Sequence, residues 1–331
     1  MGNLQLTLAC EEYDRTDALR QGRVQPEGID LVYLPLSPQE TFWRMLRHFE
    51  FDVAEMSLAA WTVAKSRGEN RIIGIPVFTS RQFRHSAIYI NVNARISKPE
   101  DLKGKRVGVP EYMLSAVVWA RGILESEYGV HPKEIYWLTG GQEEAGRQER
   151  IELRKPPGVS IEPIPIGQTL SAMLDEGSLD AVITPLLPSV FARRSPRVGR
   201  LFPNFREVER EYYERTGVFP IMHTVCMKVS LYEQYPWIAQ SLYKAFRKSR
   251  DEAIARLYDT NALRISLPWV VGEAEESELI FADGDFWPYG VEPNRKTIQT
   301  FIDYLRQQHL LEREVQIEEL FAPNTFDMYK T

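Results

Sequence analysis

The chain reads as an α/β protein of two lobes, crossed twice by the backbone, with a helical C-terminal segment. Strand-like and helix-like stretches alternate through the first 185 residues. One isolated strand, His223–Lys228, follows that alternation, and the sequence after Leu231 carries mostly helical periodicity. A lone returning strand is what remains when a chain begins one lobe, completes a second and comes back. The crossings then fall near Thr79–Tyr89 and Phe219–Cys226. This predicts a discontinuous first lobe, 1–84 plus 225–331, a second lobe, 85–224, and a ligand cleft between them.

The elements follow in order. Leu4–Ala9 alternates apolar and polar residues as a half-buried strand does. A short helix, Asp14–Arg20, follows a loop, and a second strand, Ile29–Leu34, ends at Pro35. Ser37 caps a helix over Pro38–His48, with Pro at the first helical position and Glu40 three residues past the cap. Asp52–Met56 is a short apolar strand, Ser57 caps the helix Leu58–Ser66, and Ile72–Phe78 is a strand again. Strands separated by helices pair in parallel. The second block repeats this with strands at Ser86–Asn93, Lys105–Val109, Ile135–Leu138, Ile161–Ile166 and Asp180–Thr184. Its helices span Pro110–Tyr128, closed by Gly129, and Gln168–Asp175. Gly140–Val159 is polar, of mixed charge, and carries Pro156-Pro157-Gly158, so it reads as a long loop or lid. Helices over Leu231–Tyr258, Glu273–Phe281 and Arg295–His309 complete the chain, which has no internal repeat.

Composition narrows the function. A net charge of −6 over 331 residues gives no footprint for nucleic acid or an anionic membrane. Two cysteines, Cys10 and Cys226, cannot make a disulfide scaffold; one bridge or two buried thiols remain. No stretch approaches the ~20 apolar residues of a membrane span, and MGNLQLTLACEEYDRT has no signal-peptide pattern, so a cytoplasmic location is expected. Dinucleotide, P-loop, zincin and α/β-hydrolase motifs are all missing.

In an α/β protein, ligands bind beyond the carboxyl ends of the strands. That rule selects Glu11–Arg15, Glu55–Ser57, Arg81–His85, Pro110–Ser115 and Thr184–Pro188. The stretch RQFRHSAIYI, Arg81–Ile90, puts two arginines and a histidine within five residues at the first crossing. Arg15, Arg81 and Arg84 supply guanidinium forks that match carboxylates. The amides of Glu111–Met113, at a helix start, suit an anion.

PEDLKGKRVGVPEY, Pro99–Tyr112, resembles a stretch common in type II periplasmic-binding-protein folds. CEEYDRT, DVAEMSLAAW, RQFRHSAIYIN, VVWARGILESEYGV, TLSAMLDEGSLDAVITP and FPIMHTV together resemble, in the same order over about residues 4–240, the 4,5-dihydroxyphthalate decarboxylase family. The resemblance implies two α/β lobes joined by two hinge strands, and a carboxy-lyase of aromatic-acid degradation. It implies loss of one carboxylate from 4,5-dihydroxyphthalate to give protocatechuate.

That chemistry needs a proton for the ring carbon that loses CO2, a base or acceptor near the phenol, and a clamp for the retained carboxylate. Histidine suits proton transfer near neutral pH. His48, His131 and His309 lie in helix ends and tails, whereas His85 and His223 lie at the two crossings. The expected catalytic set is therefore His85, His223 and Glu55, with both imidazoles facing one space. Glu55 also reads as a hydrogen-bond acceptor or a helix-start carboxylate. The expected substrate-binding set is Asp14, Arg15, Ser57, Arg81, Arg84, Tyr112 and Thr184. No cofactor is expected; His85, His223, Glu55 and Asp14 are compatible with a divalent ion, but their spacing does not show one. The expected partner is a small aromatic carboxylate, with a homo-oligomer left open. A solute-binding protein for a small anion, and a ligand sensor without chemistry, are the rival readings.

Overall fold

The computed structural model describes residues 2–149 and 151–327. Strands β1 (Leu4–Cys10), β2 (Ile29–Pro35), β3 (Val53–Ser57) and β4 (Ile72–Arg81) alternate with helices α1 (Asp14–Arg20), α2 (Pro38–His48) and α3 (Leu58–Ser66). Then come β5 (Ile88–Asn91), β6 (Arg106–Val109), α4 (Ser115–Tyr128), β7 (Tyr136–Thr139) and β8 (Ser160–Pro163). They are followed by α5 (Leu170–Glu176), β9 (Ala181–Ile183), α6 (Ser189–Ala192), β10 (Val198–Arg200) and α7 (Phe205–Thr216). Strand β11 (Ile221–Lys228) leads to α8 (Val229–Gln234), α9 (Trp237–Leu257), α10 (Val270–Ile280), α11 (Arg295–Gln307) and α12 (Ile317–Leu320).

The chain divides into two compact units: 1–81, 221–299 and 315–331, and 82–220 with 300–314. The first holds a sheet ordered β2-β1-β3-β11-β4, the second a sheet ordered β10-β5-β9-β6-β7-β8. In the first sheet β1 runs parallel to β2 and β3, while β11 is antiparallel to both β3 and β4. In the second, β6 is parallel to β7 and β9, and β5 is antiparallel to β9 and β10.

Local chemistry sets several boundaries as expected. Ser37 accepts the Glu40 amide ahead of α2, Ser57 accepts the Ala60 amide ahead of α3, and Gly129 closes α4 in the left-handed region at φ 62°. Other boundaries differ. The helix expected from Pro110 begins only at Ser115, and Ile161–Ile166 keeps its strand only to Pro163. The expected helix Leu231–Tyr258 is two, broken at Tyr235-Pro236, because proline has no amide to continue the ladder. Helix α7 and strand β10 were not expected. Residues 300–314, expected in the first lobe, group with the second unit. There Phe301 stacks on Trp119 at 4.9 Å, and Tyr304 lies against Gly122, where a Cβ would meet its ring at 2.1 Å. Both cysteines are free and buried. Among the described residues no helix is long and apolar enough to cross a membrane.

Candidate functional site

The first unit gathers polar side chains at the carboxyl ends of β1, β3 and β4. Strand β11 runs the other way, so its start lies at that same edge. There His223 is in register with Ser57 of β3 and Ser80 of β4. Glu55, fully buried on β3, accepts three hydrogen bonds on Oε1: from Thr79 Oγ1 at 2.7 Å, Tyr13 Oη at 2.8 Å and His223 Nδ1 at 2.8 Å. The Glu11 amide donates to Oε2 at 3.2 Å, with the Cys10 thiol 3.7 Å away. Burial alone would raise the Glu55 carboxyl. The His223 ring, its hydrogen bond, and those of Thr79 and Tyr13 outweigh burial and hold it at about 2. The same burial, with the Glu55 charge, pushes the Tyr13 phenol and the Cys10 thiol well up, so both stay protonated.

Glu55 is therefore ionised near neutral pH. It fixes the His223 ring with its hydrogen on Nδ1. Nε2 then has no partner among the described residues, and the ring, with Phe42 edge-on at 4.9 Å, is partly exposed. Of the roles expected for Glu55, the geometry displays that of a hydrogen-bond acceptor, holding the His223 ring.

Arg15 lies beside this pair. β4 and β11 slip register between His223 and Val225, which pair with Ser80 and Ile75, so Pro76–Thr79 bulges out of the ladder. The carbonyls left by the bulge are taken from elsewhere. Gly290 N donates to Pro76 O at 2.8 Å, Trp287 Nε1 to Phe78 O at 3.0 Å, and Arg15 Nε to Thr79 O at 2.7 Å. The Arg15 guanidinium carbon lies 4.1 Å from the Tyr13 ring centre and 4.4 Å from that of Trp287. Exposed Asp14 pairs with Arg15 Nη1 at 3.0 Å, and Arg81 donates to Pro288 O at 3.1 Å. Ser57 is spent in part on its helix cap.

The remaining expected residues lie in the second unit. His85 is enclosed by Phe202, Tyr212 and Tyr128, ring centres at 5.2, 5.3 and 6.2 Å, and neither ring nitrogen has a hydrogen-bond partner. Burial, then the Arg215 charge, lowers it to about 4. The two histidines thus occupy different units and opposite environments. His85 is a neutral, packed ring near neutral pH. Arg84 is buried too, with Nε and Nη1 unpartnered and its pKa lowered to about 10 by burial, in part offset by Glu209. Tyr112 is fully buried against Arg121 and Trp137. Its amide and that of Met113 are capped by Glu149 from the 140–159 segment, and Arg147 binds Glu111 at 2.6 Å. The amides expected to receive an anion already hold one from the chain itself. Thr184 is buried, bonded to Gln142, and accepts the Leu186 amide at 3.2 Å. It braces its loop.

Among the described residues no group of three or more His, Cys, Asp or Glu side chains is placed to hold a metal ion. A cavity of about 310 Å³ in the first unit is lined by Glu12, Tyr13, Asp14, Asp17, Arg20 and Arg256, among others, but its charges largely pair with one another. Glu55 and His223 are not in its wall. Thr79 and Trp287 escaped the sequence reading. Pro76 inside a strand was the one signal that β4 would bulge; nothing in the sequence marked Trp287.

Comparison with solved structures shows the fold class. The chain superposes on the periplasmic sulfonate-binding protein SsuA of Methylobacillus flagellatus with a TM-score of 0.57 at 12% identity, covering 99% of this chain and 94% of that one. Against the aliphatic sulphonate-binding SsuA of Escherichia coli the TM-score is 0.52 at 15% identity, covering 98% and 99%. The fold is therefore that of the periplasmic-binding-protein class. No family model matches the chain. The 4,5-dihydroxyphthalate decarboxylase of Comamonas testosteroni is 41% identical over 330 residues, the whole of both chains. That of Pseudomonas putida is 42% identical over 213 residues, 64% of this chain and 83% of its own. This chain belongs to the 4,5-dihydroxyphthalate decarboxylase family.

Proposed function

We propose that the chain is a carboxy-lyase that converts 4,5-dihydroxyphthalate to protocatechuate and CO2 without oxidation, with His223 as the proton donor. Family membership supports the substrate. The observation that carries the chemistry is the buried, ionised Glu55 on His223 Nδ1. The Nε2–H of the imidazolium gives its proton to the ring carbon bearing the departing carboxylate. The electron pair of the breaking C–C bond restores the aromatic ring, CO2 leaves, and His223 takes a proton from solvent. One proton is consumed per dianion, which leaves protocatechuate as a monoanion. Arg15 receives the neighbouring carboxylate, whose charge matches its fork. A cytoplasmic location is part of this reading and is checked by fractionation with an activity assay.

The test is incubation of the pure protein with 4,5-dihydroxyphthalate in D2O. The expected result is equimolar CO2 and protocatechuate, with one deuterium at the vacated carbon. His223→Asn should lower kcat about 10²–10⁴-fold, the span of general acid–base catalysis. Absence of turnover in the wild type, or full kcat in His223→Asn, would overturn the proposal.

A further inference from the structure

We infer that Trp287 is a positioning residue that holds Arg15 as the receiver of the substrate's retained carboxylate, and so a determinant of selectivity for aromatic dicarboxylates; the identity of the acid rests on the proposed function. Arg15 has five N–H groups. Nε is spent on Thr79 O and Nη1 bonds Asp14. Nη2 has no partner among the described residues. What remains is a donor edge attached to a long, flexible side chain, and a receptor needs that edge held still. The Trp287 ring, 4.4 Å from the guanidinium carbon, supplies the hold together with Tyr13.

Trp287 is itself fixed from every side available to it. Its indole N–H is anchored on Phe78 O, a carbonyl freed by the β4 bulge, one residue before the carbonyl that takes Arg15. Its own carbonyl accepts from buried Arg250 at 2.8 Å, and its amide donates to Asp285 at 3.0 Å. Arg250 pairs with Asp285 at 3.0 Å. The next residue, Pro288, accepts from Arg81 and from Asn294. Arg81 therefore supports the receptor through this loop. Tyr13 connects the two halves of the site, since its ring lies on Arg15 and its hydroxyl on Glu55.

Binding of phthalate and of catechol by calorimetry, and kcat and KM, test this in Trp287→Ala, Trp287→Phe, Arg15→Ala and the double variant Trp287→Ala/Arg15→Ala. Phthalate carries the carboxylates without the hydroxyls; catechol has the reverse. Trp287→Ala should weaken phthalate about 3–30-fold, the span of a cation–π contact from exposed to desolvated. It should change catechol less than about 2-fold and raise KM by far more than it lowers kcat. Trp287→Phe, which keeps a ring, should recover most of the loss. In the Arg15→Ala background the Trp287→Ala change should cost phthalate less than about 2-fold, since coupled residues are not additive. Equal losses for both ligands, additive losses in the double variant, or a phenylalanine no better than alanine would overturn the inference. If Trp287→Ala fails to fold, the Trp287→Phe and Arg15→Lys cycle decides it by the same coupling. Phthalate binding that follows this pattern in a protein without decarboxylase activity would sink the proposed reaction and leave the receptor standing.

Discussion

Replacing Glu55 with glutamine removes one charge and keeps the shape. The folded carboxyl sits at about 2 against an ordinary 4.5, a gap of about 2.5 units. At 1.36 kcal/mol per unit this is about 3 kcal/mol in favour of the ionised form, a large part of a typical 5–15 kcal/mol stability. Because the folded value is depressed, that stability is fully present above pH 4.5 and is lost as pH falls through 2. Urea unfolding of the wild type from pH 7 to pH 2 should show this loss, and E55Q should lack that pH-dependent component. E55Q should also lower kcat by about 10²-fold or more, because an amide can turn its N–H toward Nδ1 and no longer holds the ring in one orientation. A normal kcat together with a wild-type unfolding curve in E55Q would refute Glu55 as the group that orients His223.

His85→Leu should keep kcat within about 3-fold, since the ring it replaces is sealed among aromatic side chains. Because His85 is lowered to about 4, the wild type binds fewer protons folded than unfolded between pH 6.5 and 4; stability falls as pH drops through that window, and unfolding midpoints should show His85→Leu relieved of it. Gly122→Ala should destabilise the second unit by at least about 1–3 kcal/mol, because the methyl enters the Tyr304 ring; Tyr304→Ala in the same chain should recover part of it in thermal unfolding. Glu149→Ala, which strips the Tyr112 and Met113 amides of their acceptor, should speed limited proteolysis within residues 140–159, read by mass spectrometry.

Legibility followed periodicity. Helices α1, α2 and α3 end where caps and alternation put them, because short helices on a parallel sheet need an apolar face and a capped start. Helix α7, FREVEREYYERT, shows no such stripe: only Glu209 and Tyr212 are buried, and Glu209 is there to accept the Ser86 amide at 2.8 Å. The return of 300–314 to the second unit depends on a glycine meeting an aromatic ring, a fit that no periodicity reports. At the site, Glu55, Arg15 and His223 were legible because strand ends are where α/β chains present polar groups. The bonds of Arg81 to Pro288 O and of Thr184 to Gln142 were not legible, because position along a strand does not say which way a side chain is used. Trp287 was invisible because its partner is 272 residues earlier, and only the β4 bulge brings them together.

Glu149 fills, from within the chain, the place at the Tyr112 and Met113 amides that a free anion would take. A carboxylate tethered by the chain acts at an effective concentration, on the order of millimolar for a short flexible link. A dissolved anion gains the Tyr112 and Met113 amides only by outbidding it. Acidity changes the contest, because Glu149, raised by burial to about 7, weakens as an acceptor when protonated. The hold of Glu149 on these two amides therefore loosens by degrees as pH falls through about 7.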